Sequence, residues 1–140
     1  WGLGNGSAAE FDRLGTRDPA PCLAAPFALA LVEEWGGAEL RRHNHDLAMA
    51  GARMVEAVFG RELRTPEDLF GPMVNVGLPR QFGTTKPEAV ALQRRLLAEH
   101  GIEIPVFGDP DGLRMRISAQ IYNDISDMER LVSALRSLGA

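Results

Sequence analysis

Two arginines lie two residues apart in the segment GLRMRIS, and their spacing is the feature of this chain most able to support chemistry. In this segment apolar and polar residues alternate with the two-residue period of a β-strand. One face of the predicted strand would therefore pack against a hydrophobic core. The apolar positions are Leu113, Met115 and Ile117, and the polar positions are Arg114, Arg116 and Ser118. A guanidinium on the polar face can form a surface salt bridge or grip a carboxylate with two parallel hydrogen bonds. The spacing leaves both alternatives open for Arg116.

His43 and His45 form a second candidate pair, in the segment HNHDLA. On a helix, residues i and i+2 point about 200° apart, so the two imidazoles cannot bind one metal ion. We therefore predict a solvated polar helix face at this segment and no metal site.

Gly15 and Thr16 form a third candidate, because a hydroxyl and consecutive backbone amides in a tight turn can donate to phosphate oxygens. The alternative is a Ser/Thr turn that leads into the next helix, and spacing alone favours it. Lys86 is the only lysine among fifteen basic residues. It precedes a proline at a helix start, which predicts a position on the surface.

Composition limits the classes of partner. The chain has 140 residues, 45% of them hydrophobic, which suffices for one compact core. A net charge of −4 gives no positive field for nucleic acid or an anionic membrane, so neither partner is expected. The single cysteine, Cys22, cannot form an internal disulfide, which indicates a cytoplasmic protein.

The elements that must position these residues can be read from apolar periodicity and turn chemistry. Residues 1–20 are turn-rich and look like the trailing edge of something larger. A short apolar helix is predicted from Pro21 to 36, buried between two layers with Pro26 in its first turn, and a longer helix from 38 to 59. Strands are predicted at 72–78, 102–106 and 112–118, and helices after the capping residues Thr85 and Asp124. This order predicts an α+β fold: a small, mostly antiparallel sheet of three to four strands with helices on one face.

Four segments together resemble the C-terminal part of class V enzymes that depend on pyridoxal 5'-phosphate (PLP), on the aspartate-aminotransferase fold. The branch that the chain resembles contains isopenicillin N epimerase and hercynylcysteine sulfoxide lyase. The segments are FDRLGTRDPAPCLAAPFAL, HNHDLA, GIEIPV and RMRISAQIYND. The resemblance runs along all 140 residues and covers only about the last third of a family member.

The resemblance implies roles for four residues. The segment of Gly15 and Thr16 would bind the cofactor phosphate in the active site of a partner subunit. The resemblance therefore favours a phosphate contact at Thr16 over the Ser/Thr turn. Arg116 would bind the α-carboxylate of an amino-acid substrate, and Arg17 is a further substrate-binding candidate. No residue of the 140-residue chain is expected to be catalytic.

The resemblance also implies a domain organisation. Residues 1–20 would be a strip of the large PLP-binding domain, residues 21–36 a linking helix, and residues 37–140 the small C-terminal domain of a homodimer. Family members hold PLP through a lysine of the large domain, which this chain lacks, so we expect it to be inactive alone. The alternative is a non-catalytic α+β module that binds a small carboxylate.

Overall fold

The computed structural model describes residues 18–139. Contacts divide the chain into two units, Trp1–Gly37 and Ala38–Ala140. The predictions for Gly15, Thr16 and Arg17 lie outside the described residues.

The first unit contributes one described helix, α1, Ala20–Glu34. Pro21 lies in its first turn, where a missing N–H costs no helical hydrogen bond. Pro26 was predicted in the first turn of the helix, but it lies further inside the helix. None of the helix residues is buried, and Leu23 and Phe27 are 67% and 79% exposed. Nothing among the described residues covers α1, so its expected burial between two layers stays a prediction, and the helix presents an apolar surface.

The second unit contains three helices and three strands among the described residues. They are α2 Ala38–Phe59, β1 Met73–Gly77, α3 Lys86–His100, β2 Val106–Phe107, β3 Arg114–Ser118 and α4 Ile125–Leu138, with short 3-10 turns at Glu67–Leu69 and Arg80–Phe82. The strands form one antiparallel sheet in the order β1-β3-β2. The predicted α+β class is confirmed, with three strands.

The sheet register follows from the alternation seen in the sequence. Val76 of β1 and Val106 of β2 both pair with Met115 of β3, and Asn75 pairs with Arg116. The side chains on one face of β1 and β3 are almost fully buried, and they are Val74, Val76, Met115 and Ile117. Helix α2 packs against β1, β3 and α4, whereas α3 packs against β2. Burial of one face only leaves the opposite face of the sheet open.

Strand β2 was predicted at 102–106, but it lies at Val106–Phe107, and only Val106 is common to both. The strand does not extend back through Pro105, which lacks the N–H group that a continued ladder needs. Its carbonyl still accepts a hydrogen bond of 3.1 Å from the backbone N–H of Arg116. The hairpin between β2 and β3 closes at Gly112, whose φ of 128° favours glycine. A Cβ atom there would lie 2.2 Å from the carbonyl oxygen of Leu78, so the turn cannot accept a side chain without moving.

The predicted capping residues Thr85 and Asp124 each belong to a capping box. At the start of α3, the Glu88 carboxylate accepts hydrogen bonds from the backbone N–H groups of Thr84 and Thr85 and from the Thr85 hydroxyl. These bonds lower the pKa of Glu88 to about 2. At the start of α4, Asp124 and Asp127 form the equivalent box. The second box fixes the direction in which α4 leaves the end of β3.

Candidate functional site

The open face of the sheet carries the two arginines that the sequence singled out. Arg114 and Arg116 project from β3 on the face opposite to the buried Met115 and Ile117. Asn75, directly across from Arg116 on β1, is exposed on the same open face. The predicted division of β3 into a core face and a polar face is therefore confirmed.

Arg114 has an ion-pair partner within its own hairpin. Its Nε lies 2.7 Å from Oδ2 of Asp109, a residue of the turn between β2 and β3. The hydrogen bond from Arg114, with a further one from the backbone N–H of Asp111, lowers the pKa of Asp109. Arg114 therefore forms a surface salt bridge, which is the usual interaction of an exposed guanidinium.

A second arginine near Arg114 is also bonded to the chain. Arg61 follows α2, lies against Gly77 of β1, and donates from NH1 to the carbonyl oxygen of Asp111 at 2.8 Å. Together with Arg114 it lines an open groove of about 760 Å³ beside β1. At this end of the sheet, protein oxygens satisfy at least one donor of each guanidinium.

Arg116 is in a different situation. Its side chain is partly buried, and its Nε is shielded from solvent without a hydrogen-bond partner. Within residues 18–139 it forms no ion pair with a carboxylate. A buried donor to which no acceptor is supplied costs about 1–3 kcal/mol, so a ligand oxygen at this position would relieve an unfavourable contact.

Arg116 lines a cleft of about 280 Å³ between the end of β3, the segment before β2 and the start of α4. The other charged residues of its lining are Glu103, Asp127 and Arg130. Asn123, in the turn before α4, adds a polar side chain, and Ile102 and Leu131 add apolar wall. The cleft thus combines two guanidiniums, two carboxylates and an apolar wall, and a ligand carboxylate there could pair with Arg116, which has no carboxylate partner among the described residues.

Asn44 is a residue whose position the sequence reasoning missed. The prediction of a solvated face for the segment HNHDLA is wrong at its centre, because Asn44 is only 7% exposed. The signal was its spacing of four from the buried Leu40 and three from the buried Leu47, which places it on the core side of α2. Its Nδ2 donates to Oε1 of Gln120 at 2.9 Å, just after β3. The segment thus contacts the turn that follows Arg116.

His45 occupies the edge of the same segment. Its ring bonds to Oδ1 of Asp46 at 3.0 Å and to the carbonyl of Glu67 at 3.2 Å. The bond to Asp46, followed by the bond to Glu67, raises the pKa of His45. His43 is exposed, so the two rings lie in different surroundings, as their spacing predicted.

Lys86 is exposed as the first residue of α3, as predicted. Cys22 is an exposed free thiol. Within residues 18–139, none of the helices has the length and apolar character that crossing a bilayer requires.

The fold and the cleft together define a class: a small α+β domain with a sheet left open on one side and, on that side, an arginine that has no carboxylate partner among residues 18–139. Comparison with known proteins identifies the family. No protein-family model matches the chain. An L-cysteine desulfhydrase of Arabidopsis thaliana is 33% identical over 154 residues, covering 97% of this chain and 34% of the relative. Isopenicillin N epimerase of Streptomyces clavuligerus is 36% identical over 126 residues, covering 89% of this chain and 30% of the relative.

These relatives are class V PLP enzymes, and the chain is homologous to part of such an enzyme. It spans about a third of the length of the curated relatives that it matches. The resemblance to the branch of isopenicillin N epimerase is confirmed, and the desulfhydrases are related to the chain as well.

Proposed function

We propose that the chain is the C-terminal portion of a PLP-dependent enzyme that acts on an amino acid, and that Arg116 binds the α-carboxylate of the substrate. The observation that carries the proposal is that Arg116 lines a cleft while its shielded Nε has no acceptor among the described residues. The relatives supply the class of chemistry, since they are a desulfhydrase named for L-cysteine and epimerases named for isopenicillin N.

The described residues fit the substrate carboxylate better than they fit the cofactor. Lys86 is the only lysine of the chain and lies exposed at a helix start, away from the Arg116 cleft. PLP would therefore be held by the large domain, with Gly15 and Thr16 contacting its phosphate across a homodimer interface. When bound, PLP supplies stabilisation of negative charge at the substrate α-carbon.

The contribution of Arg116 would be orientation and charge. A guanidinium that grips a carboxylate through two hydrogen bonds fixes the rotation of the α-carbon, and therefore decides which of its bonds faces the reacting centre. Removal of one oriented donor from an active site typically costs about 2–4 kcal/mol of transition-state stabilisation. Arg17 would be a second contact to the substrate.

Matched substitutions in the complete enzyme test the assignment. Arg116→Ala should lower kcat/KM for the amino-acid substrate by tens-fold or more, with the PLP content unchanged by absorbance. The control, Arg114→Ala, removes a guanidinium two residues away whose partner is Asp109, and should change kcat/KM by no more than a few-fold. Equal kinetics for the wild type and Arg116→Ala would remove Arg116 from the substrate site.

The domain organisation is part of the same proposal. Residues 1–20 would belong to the large domain, residues 21–36 would link the domains, and residues 37–140 would form the small domain. The exposed apolar side chains of α1, among them Leu23 and Phe27, support a packing surface for the rest of a homodimeric enzyme. The exposed thiol of Cys22 suits a reducing, cytoplasmic location.

The isolated 140-residue chain is proposed to be inactive. Incubated with PLP and L-cysteine, it should release sulfide no faster than free PLP does, with a complete desulfhydrase as the positive control. Turnover that depends on the chain and disappears in Lys86→Ala would contradict the division of roles between two domains.

A non-catalytic carboxylate-binding module is the second candidate. The observation in its favour is that the cleft is lined entirely by residues between 101 and 131. Such a module would bind amino acids through Arg116 without PLP, and the affinity would not change when PLP is added.

A further inference from the structure

A chain of hydrogen bonds joins α2 to the wall of the Arg116 cleft. Asn44 donates to Oε1 of Gln120 at 2.9 Å, and the same oxygen accepts from the backbone N–H of Ile121 at 2.9 Å. The backbone N–H of Gln120 donates to Oδ1 of Asn123 at 3.1 Å, and Asn123 Nδ2 donates to Oδ2 of Asp127 at 3.1 Å. Four side chains from three parts of the fold therefore hold one another in place.

The last member of this chain is a carboxylate in the same cleft as Arg116. Oδ2 of Asp127 also accepts from the backbone N–H of Asp124 at 3.3 Å, and its Oδ1 lies 3.9 Å from NH1 of Arg130. Both Asp127 and Arg116 line the cleft of about 280 Å³, yet they form no ion pair. Opposite charges that line one cleft attract each other, and the hydrogen bonds from Asn123 and from the backbone N–H of Asp124 engage this carboxylate at the helix start instead.

We propose that Asn44 is a positioning residue that keeps Arg116 free for an external carboxylate, by holding Gln120 and Asn123 so that Asp127 stays bonded at the helix start. The inference rests on the proposed function of Arg116 and adds a residue that acts through others. Without the link, the turn between β3 and α4 gains freedom, Asn123 releases Asp127, and Asp127 competes with the ligand for the guanidinium.

The burial of Asn44 supports a role beyond stability. Its Oδ1 is shielded from solvent and has no hydrogen-bond partner among the described residues. A buried amide that satisfies only part of its hydrogen-bonding capacity stabilises a core less than an apolar side chain of similar shape. What Asn44 does provide is one directed bond to Gln120, and that bond orients the turn next to the cleft.

The test is a titration of the ¹⁵N-labelled 140-residue chain with sodium acetate, followed through the Nε–H signal of Arg116. The signal is assigned by its loss in Arg116→Lys, and the backbone amide spectrum reports folding in every variant. In the wild type the signal should shift on addition of acetate. In Asn44→Ala the apparent affinity should fall about three- to six-fold, because an internal partner occupies part of the arginine population.

Three further variants separate positioning from loss of structure. Asn123→Ala breaks the link outside the core and should weaken acetate binding in the same way. Asn44→Ala combined with Asp127→Asn should restore the affinity to within about two-fold of the wild type, since the competing charge is gone. His43→Ala, one residue away on the exposed side of α2, should bind acetate like the wild type.

The outcomes distinguish the inference from the function on which it rests. An Arg116 signal that does not respond to acetate in the wild type would contradict carboxylate binding itself. A normal response in the wild type, kept unchanged in both Asn44→Ala and Asn123→Ala, would overturn the positioning role alone. The positioning role would also be overturned if Asn44→Ala weakened acetate binding and the added Asp127→Asn substitution did not restore it.

Discussion

Arg114 and Arg116 lie on the same face of the same strand and have the same side-chain type, yet their surroundings differ. Arg114 meets Asp109 at 2.7 Å in its own hairpin turn, whereas Arg116 enters a cleft with its Nε unbonded. In the part of the chain that the structure describes, a carboxylate pairs with the guanidinium of Arg114 and none pairs with that of Arg116. The difference shows that a strand pattern identifies candidate residues, while the partners available in three dimensions decide which candidate can serve a ligand.

We expect the largest difference between the two arginines when each is replaced by lysine in the complete enzyme and kcat/KM is measured. Lysine keeps the charge but presents a point donor instead of a planar fork. Arg116→Lys should lose one charge-assisted hydrogen bond to the substrate, about 2 kcal/mol, which is roughly thirty-fold in kcat/KM. Arg114→Lys can still pair with Asp109 and should remain within about two-fold of the wild type. Equal losses in both variants would break the distinction.

A smaller effect of opposite sign is expected for folding stability. Arg116→Met replaces an unsatisfied, partly buried donor by an apolar side chain, and should raise the free energy of unfolding of the 140-residue chain by about 1 kcal/mol. Arg114→Met removes a satisfied ion pair and should lower it slightly. Urea unfolding followed by circular dichroism gives both values. A destabilised Arg116→Met chain would mean that Arg116 has a stabilising partner.

The smallest effect is the part of the pH dependence of stability that comes from the pair of Arg114 with Asp109, to which Arg116 does not contribute. Folding lowers the pKa of Asp109, chiefly through the hydrogen bond from Arg114, so the ionised form is favoured in the folded state. The resulting stabilisation is fully present above the unfolded pKa of Asp109 and is lost as the pH falls through the lower folded value. Unfolding measured between about pH 5 and pH 3 should therefore be less pH-dependent in Arg114→Met than in the wild type. In Arg116→Met, stability should depend on pH as it does in the wild type. A weaker dependence in that variant would contradict the assignment of this effect to Arg114.

Much of the fold could be predicted from local chemistry. The alternation in β3 predicts its buried and open faces, and the segment from Thr85 to Glu88 predicts a capping box that the structure contains. The sequence could not tell Arg114 from Arg116, because the position of Asp109 depends on how the turn at Gly112 closes against Leu78. Asn44 was misassigned because its polar type outweighed its core spacing. Local rules fail where a polar side chain is satisfied by a partner that is distant in sequence.

The most direct test of a free Arg116 is a crystal structure of the complete PLP-bound enzyme with an unreactive amino-acid analogue. Two guanidinium nitrogens of Arg116 should each lie about 2.7–2.9 Å from an oxygen of the analogue carboxylate, with Arg114 still paired to Asp109. An Arg116 paired with a carboxylate of the protein, while the analogue binds elsewhere, would contradict the central claim.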